Sequence, residues 1–517
     1  MIVLSRSLIL ALLLMIPLPL SRAFSHDHHA ACALAANPEI CIASMEALDL
    51  DPGNAGSFAL AAVGSARDSL EALLASTAEL DHGAVSSSKP SRSMRKRAVM
   101  RDCVELLHDA SRLAADSQVA IGRMKASDLV NAHTWMSAAL TYHTTCLDGL
   151  IEAGFDEHKL LNKARESLST CLAAIASLRR NQEQEPQTIK TPHWVSKSVG
   201  NYTILPNITV AKDGSGQFEN ITAALAAAPT KSSSRFVIYI KQGTYLETFE
   251  VPRNLLNLMF LGDGIGKTII TGNKSVQDPN ITTFTSATVA IRANNFIAQD
   301  ITFQNTAGAI NHQAVAVRVT ADKVAFFRCS FEGFQDTLYA HSLRQFYTQC
   351  DIYGTVDYIF GNAAAIFQNC NLYARLPMPK QKNTYTAQGR TDPNQNTGFS
   401  FQNCAVDGTP ELKANITQFP TFLGRPWKEY AVTVFLKCYE SAVVDPAGWL
   451  EWSGDFALQT LFYGEYFCYG PGGSIVKRVD WSTQIFDSSF ASKYTAMSLV
   501  SGDEWLPATN LPYTLVL

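Results

Sequence analysis

Between residues 27 and 180 apolar side chains return every third or fourth position, as in SFALAAVGSARDSLEALLAS (57–76) and VELLHDASRLAADSQVAIGRM (104–124). That spacing gathers them on one stripe of each helix and predicts an all-α four-helix bundle. Residues 181–206, NQEQEPQTIKTPHWVSKSVGNYTILP, have no period and are punctuated by proline, the pattern of a linker. Beyond 207 the grammar changes to short β-rich segments: FVIYIKQGTY (236–245), NFIAQDITFQNTA (295–307), KVAFFRCSFEG (323–333), RQFYTQCDIYG (344–354), AAIFQNCNLYA (364–374) and GFSFQNCAVDG (398–408). One such segment every ~20–35 residues, with turn residues at the corners and no long helices between, predicts a solenoid whose coils bury one another's inner faces. Over 207–517 this specifies a parallel β-helix rather than a sandwich.

Composition adds a compartment. The 517 residues are 47% hydrophobic and 17% charged, enough apolar material for two folded parts. Arg6, the apolar run LILALLLMIPLPL (8–20) and Ser21-Arg22-Ala23 read as a secretory signal peptide over 1–23, which leaves 24–180 for the bundle. No later stretch reaches membrane-spanning length. Eleven cysteines and six Asn-x-Ser/Thr sites, at Asn201, Asn207, Asn220, Asn273, Asn280 and Asn415, suit a secreted chain. In the helical half Cys32 is close enough to Cys41 to staple a hairpin and Cys103 with Cys146 could tie two long helices, leaving Cys171 over, although four cysteines allow three connectivities. No Cys/His cluster has zinc spacing, so no metal is expected. A net charge of −4 argues against general nucleic-acid binding, and the basic run KPSRSMRKR (89–97) is expected to be an exposed loop. His133 and His143 have no acid or nucleophile at useful spacing and are expected to be structural.

The chemistry lies in the second half. Cys329, Cys350 and Cys370 mark equivalent positions in successive coils, and Asp336 and Asp357 each follow a cysteine by seven residues. Neighbouring strands lie ~4.8 Å apart, so the two aspartates should stack. Like charges that close cannot both ionise cheaply, which makes one an acid and leaves the other a carboxylate. The stacked cysteines are within disulfide reach, Cys350 with Cys370 being the expected pair and stacked free thiols the alternative. An acid beside a carboxylate suits a nucleophile with a general acid/base, and equally a retaining glycosidase. The neighbours favour acyl chemistry: Gln335 and Gln313 are uncharged amide donors for a tetrahedral oxyanion. Arg425 could hold the ionised aspartate, and Trp427, Trp449 and Trp452 offer flat faces for sugar rings.

GTYLE (243–247), QAVAV (313–317), GFQDTL (333–338), GTVDYIFG (354–361) and LGRPWKEY (423–430) resemble, in this order, the five signature segments of plant pectin methylesterases. The helical half, with its five cysteines and TWMSAALTYHTTCLDG (134–149), resembles the inhibitor domain that precedes many of these enzymes. The resemblance implies a right-handed parallel β-helix, a secreted monomer of the cell wall, that hydrolyses C6 methyl esters of galacturonate in methyl-esterified homogalacturonan without metal or organic cofactor. It implies Asp357 as nucleophile, Asp336 as general acid/base, Gln313 and Gln335 as oxyanion donors, Arg425 as the partner of the nucleophile, and Thr244, Gln313, Arg425 and Trp427 as substrate contacts. Its own helical half becomes a candidate partner, as an inhibitor or as a folding and secretion aid. Two departures stand out. The linker lacks the dibasic processing signal of many relatives, and Cys468 in EYFCYGPGG falls where they commonly carry asparagine.

Overall fold

In the computed structural model, which describes residues 31–33, 35–46, 55–83, 90–155, 159–183, 196–197 and 204–517, the apolar stripes of the helical half fold into helices. A short α1 (Pro38–Glu46) precedes four long ones: α2 (Ala55–Gly83), α3 (Pro90–Gly122), α4 (Ala126–Glu152) and α5 (Lys159–Glu183). Helix α3 packs on α2 and α4, and α5 closes against the same two, so each stripe is covered. Leu106, Leu107, Ala110 and Leu113 of α3 and Leu129, Ala132, Met136 and Leu140 of α4 are buried there. Disulfides Cys32–Cys41 and Cys103–Cys146 staple the bundle, one of the connectivities the sequence left open, and Cys171 is a buried free thiol. The signal peptide over 1–23 lies outside the described residues.

The basic run is not a loop. Residues 90–97 form the first turns of α3, opened by Pro90, whose missing N–H has no intrahelical partner to lose at a helix start. Arg95 there donates to the carbonyls of Val276 (2.6 Å) and Ile281. The expected linker is also partly structured: α5 runs on to Glu183, and Ser196–Lys197 pairs antiparallel with Tyr513–Thr514.

From Ile208 the chain winds through three parallel sheets of eight, seven and eleven strands, each assembled in chain order, which is a parallel β-helix. Its interior is set by columns of like side chains. Phe326, Tyr347, Phe367, Phe401 and Phe435 stack at 5.1, 4.5, 4.5 and 4.6 Å between successive centroids, near the inter-strand spacing of ~4.8 Å. Arg328, Gln349, Asn369, Asn403 and Lys437, with φ of 47, 53, 53, 52 and 54°, each turn the chain from one sheet into the next. A cysteine follows every one of them.

Those cysteines correct an expectation. Cys350 and Cys370 are not disulfide-bonded; with Cys329, Cys404 and Cys438 they are buried free thiols, and Cys468 ends the column half-buried. In-register parallel strands repeat the same side-chain direction from coil to coil, so neighbouring sulfurs lie side by side instead of converging as a disulfide requires. Each thiol instead donates to main-chain carbonyls: Cys350 to Thr348 (3.4 Å), Cys370 to Gln368 (3.4 Å), Cys468 to Phe435 (3.5 Å). Cys468 is thus the last rung of the ladder.

Seven strands form the sheet that faces the bundle: β1 (Phe249–Val251), β2 (Val289–Ile291), β3 (Val317–Thr320), β4 (Leu338–Ser342), β5 (Ile359–Gly361), β6 (Asn383–Gln388) and β7 (Thr421–Gly424). Register sets Glu250, Ala290, Arg318, Tyr339, Phe360 and Ala387 in one row across it. Tyr339 and Phe360 stack at 4.1 Å, and this row joins Phe284 and the buried side chains of α3 and α4 in one apolar cluster.

Candidate active site

Asp336 and Asp357 each stand two residues ahead of their strand, and Leu338 pairs with Ile359, so the carboxyls fall in register one coil apart. Both residues take left-handed backbone, φ 64 and 51°, where the chain turns into the sheet. The Asp336 amide donates to Val356 O at 3.1 Å.

The two carboxyls have opposite surroundings. Arg425, directly after β7, donates Nε to Asp357 Oδ1 (2.8 Å) and Nη2 to Oδ2 (2.6 Å), a bidentate pair. Thr384 of β6 donates its hydroxyl to the same Oδ1 (2.6 Å) and accepts the Asp357 amide at 2.9 Å. With two donors on Oδ1 and one on Oδ2, Oδ2 is the oxygen with electron density to spare. Asp336 has no such clamp. Burial raises its pKa well above the usual carboxylate range, the charge of Asp357 adds to this, and Glu152 of α4 adds further. Repulsion between the stacked acids was the expected cause; burial is the larger one.

A cavity of about 310 Å³ opens over this pair. Gln313, Gln335, Asp336, Asp357, Arg425 and Trp427 line it together, with Tyr339, Phe360 and Trp452 extending the apolar floor. The Arg425 guanidinium lies 4.4 Å from the centre of the Trp452 ring. Thr244 is not brought in: it lies exposed on the strand Gly243–Leu246 of the eight-stranded sheet, its carbonyl taken by Lys212 (2.6 Å). Trp449 is no sugar platform either. It is 1% exposed, stacks on Tyr463 at 4.4 Å and donates Nε1 to Glu465 (3.2 Å).

The roof of the cavity comes from the bundle. Val99, Asp102 and Cys103 of α3 and Thr145, Cys146, Asp148 and Glu152 of α4 line it from above. Asp148 pairs with Lys428 (2.6 Å), Thr145 meets His341 (2.9 Å), and Gln395 donates to the Ser137 carbonyl (2.8 Å). His143 is buried against the Leu161 carbonyl (2.9 Å), and His133 contacts the carbonyl of Asn394 in the β-helix. Burial lowers the two imidazoles to about 4 and about 3, so both are neutral and structural. Thr384 and the roof acids went unseen in the sequence. The interval from Asp357 to Thr384 is 27 residues, not the 21 of the coil before, and only the fold shows that α4 lies on the cleft.

A family model described as pectinesterase matches residues 207–503, and one described as plant invertase/pectin methylesterase inhibitor matches 27–187. The chain is 49% identical over 430 residues to pectinesterase 2 of Citrus sinensis, covering 82% of each chain. It is 43% identical over 448 residues to a pectinesterase/pectinesterase inhibitor of Ficus pumila var. awkeotsang, covering 83% of this chain and 82% of that one. Among solved structures, the pectin methylesterase from carrot is 51% identical with a TM-score of 0.60, and all of it corresponds to 62% of this chain. A pectin methylesterase from Aspergillus niger is 28% identical with a TM-score of 0.52.

Proposed function

Because this chain belongs to the pectinesterase family and carries an inhibitor-like helical region ahead of its β-helix, we propose that Asp357 and Asp336 divide the hydrolysis of galacturonate C6 methyl esters between them. That the protein is a carboxylic ester hydrolase follows from the family; which residues act, and how, is our reading. The observation that carries it is the asymmetry of the stacked pair, one carboxylate held by Arg425 and Thr384, the other carboxyl unclamped and raised by burial well above the usual carboxylate range.

Asp357 Oδ2 attacks the ester carbonyl carbon, and the tetrahedral oxyanion is met by the amides of Gln313 and Gln335. As the carbon–methoxy bond breaks, Asp336 gives its proton to the departing oxygen, and methanol leaves. The acyl group remains on Asp357 as an anhydride. Asp336, now a carboxylate, takes a proton from water, whose oxygen attacks the acyl carbon. The bond to Asp357 breaks, the galacturonate carboxyl is released, and both aspartates return to their first state. Arg425 orients the nucleophile, and Trp427 with Trp452 gives the sugar an apolar wall; Thr244, away from the cavity, would touch only a distant part of a long substrate.

The helical half is read as an autoinhibitor, supported by the roof that α3 and α4 make over the aspartates. Residues 1–23 are read as a secretory signal, so that the enzyme meets pectin outside the cell. Asp357→Asn keeps the shape of the side chain but cannot form the anhydride, so methanol release from methyl-esterified pectin should vanish while the fold, followed by circular dichroism, is retained. Near-normal turnover by the folded variant would overturn the assignment. All of the solved carrot chain corresponds to 62% of this chain, close to the share of the β-helix part, which supports a β-helix that folds without the bundle, and residues 207–517 should outpace 24–517. Equal specific activities would leave the helical half a folding or secretion aid.

A further inference from the structure

Three arginines lie together on the sheet beneath the bundle, away from the aspartates: Arg253 just past β1, Arg292 just past β2 and Arg318 on β3. Their charge exceeds what the β-helix itself balances. Glu250 of β1 is the one acid of that half paired with them among the described residues, accepting from Arg292 (3.0 Å) and Arg318 (3.4 Å). The other partners come from α3, where Asp102, Glu105 and Asp109 share one face at spacings of three and four residues. Glu105 binds Arg292 (2.8 Å), and Asp109 binds both Arg292 (2.8 Å) and Arg253. Arg318 is 3% exposed and spreads over the Phe284 ring, yet its Nε and Nη1 have no hydrogen-bond partner, and neither has Arg292 Nε.

Buried guanidinium N–H groups without acceptors are costly, and planar forks of this kind match carboxylates. Arg318 stands one coil before Asp336 and three residues further along its strand, so roughly 11 Å separates their backbone positions, and Arg292 is roughly 19 Å away. Both are within the span of one polysaccharide chain lying across the sheet. A methyl-esterified galacturonate offers no charge to such a cluster, whereas the de-esterified product offers a carboxylate on every sugar.

We propose that Arg253, Arg292 and Arg318 form a carboxylate-binding subsite for already de-esterified galacturonate, and that Glu105 and Asp109 occupy it as stand-ins while the bundle is docked. This rests on the reading that pectin enters the cleft. Removal of the bundle bares a cationic patch that anchors the product end of the chain and leaves the next methyl ester at Asp357. Product and bundle compete for the same guanidinium groups.

The test is calorimetric binding to residues 207–517, with fully de-esterified oligogalacturonate and the fully methyl-esterified oligomer as probes. The de-esterified oligomer should bind, and Arg253→Gln with Arg292→Gln should weaken it roughly tenfold or more, the usual effect of losing charged hydrogen bonds. Binding of the methyl-esterified oligomer should change far less, and 24–517 should bind the de-esterified oligomer more weakly than 207–517 does. If the double variant does not fold, Arg292→Lys alone serves, since it keeps charge but loses the fork. Unchanged affinity in the folded variants, or no binding by 207–517, would reduce the arginines to anchors for the bundle. Methanol release by the unaltered protein is assayed separately: its absence would defeat the esterase reading while the binding result still decides the subsite.

Discussion

Thr384 grips Asp357 at both ends, its hydroxyl hydrogen donated to Oδ1 and its oxygen accepting the backbone amide of the same residue. Asp357 sits in left-handed backbone, which a residue with a Cβ resists by on the order of 1 kcal/mol, so such a double bond fixes a conformation that would otherwise relax. Thr384 itself is fully buried, and valine has nearly its shape. Thr384→Val removes a hydrogen bond to a charged group, typically ~1.5–3 kcal/mol, and unlatches the backbone at the proposed nucleophile. We expect kcat to fall by roughly tenfold to a hundredfold with KM little changed, because the lost contact positions the attacking carboxylate and does not bind ground-state sugar. Thr384→Ser should recover most of the rate. Full activity in the valine variant would show that Arg425 alone suffices.

At the scale of elements, the repeat both revealed and hid the site. Cys329, Cys350 and Cys370 recur at 21 and 20 residues, and that regularity alone is enough to stack Asp336 on Asp357. The next interval, to Cys404, is 34 residues, because longer connections both precede β6 (375–382) and follow it (389–397). The first hides Thr384 from the visible period, and the two together hide the rest of the thiol column. Periodicity reports which residues share a column but not how their side chains lean. For that reason a disulfide between Cys350 and Cys370 could be read where parallel thiols stand, and Trp449 could pass for a platform although it is sealed inside the last coils. The column predicts a plain result: the thermal midpoint of residues 207–517 should be the same with and without a thiol reductant, and six thiols should titrate on unfolding, from Cys329, Cys350, Cys370, Cys404, Cys438 and Cys468. A lowered midpoint on reduction, or fewer thiols, would mean that the ladder had cross-linked.

At the scale of the whole molecule, the proposed docking of the bundle over the cleft would be coupled to protons. Asp102 of α3 is buried against the β-helix and bonded to Thr282; burial first of all raises its carboxyl to about 6 from an ordinary 3.8, although Thr282, Arg318 and Arg101 pull it down and Glu105 pushes it up. Asp148, chiefly through burial and despite Lys428, and Glu152, through burial and then Asp148, are raised as well. A group whose pKa is higher in the docked state binds a proton on docking, so its contribution is fully present below the undocked value and is lost as pH climbs through the docked one. For Asp102, taking the ordinary 3.8 for the undocked bundle, that window runs from 3.8 to about 6, and Asp148 and Glu152 act in the same direction. Docking should thus be tighter in acid and loosen as pH rises, by up to roughly two orders of magnitude for Asp102 alone. Raw activity cannot report this, because Asp336 titrates too, but the ratio of the activity of 24–517 to that of 207–517 at each pH cancels the chemistry common to both. We expect the ratio to climb with pH across the window and the climb to shrink in Asp102→Asn, whose amide is neutral throughout. A ratio below one that stays flat over this range would mean that the bundle inhibits without taking up a proton, and that its grip rests on the pairs made by Glu105, Asp109 and Lys428.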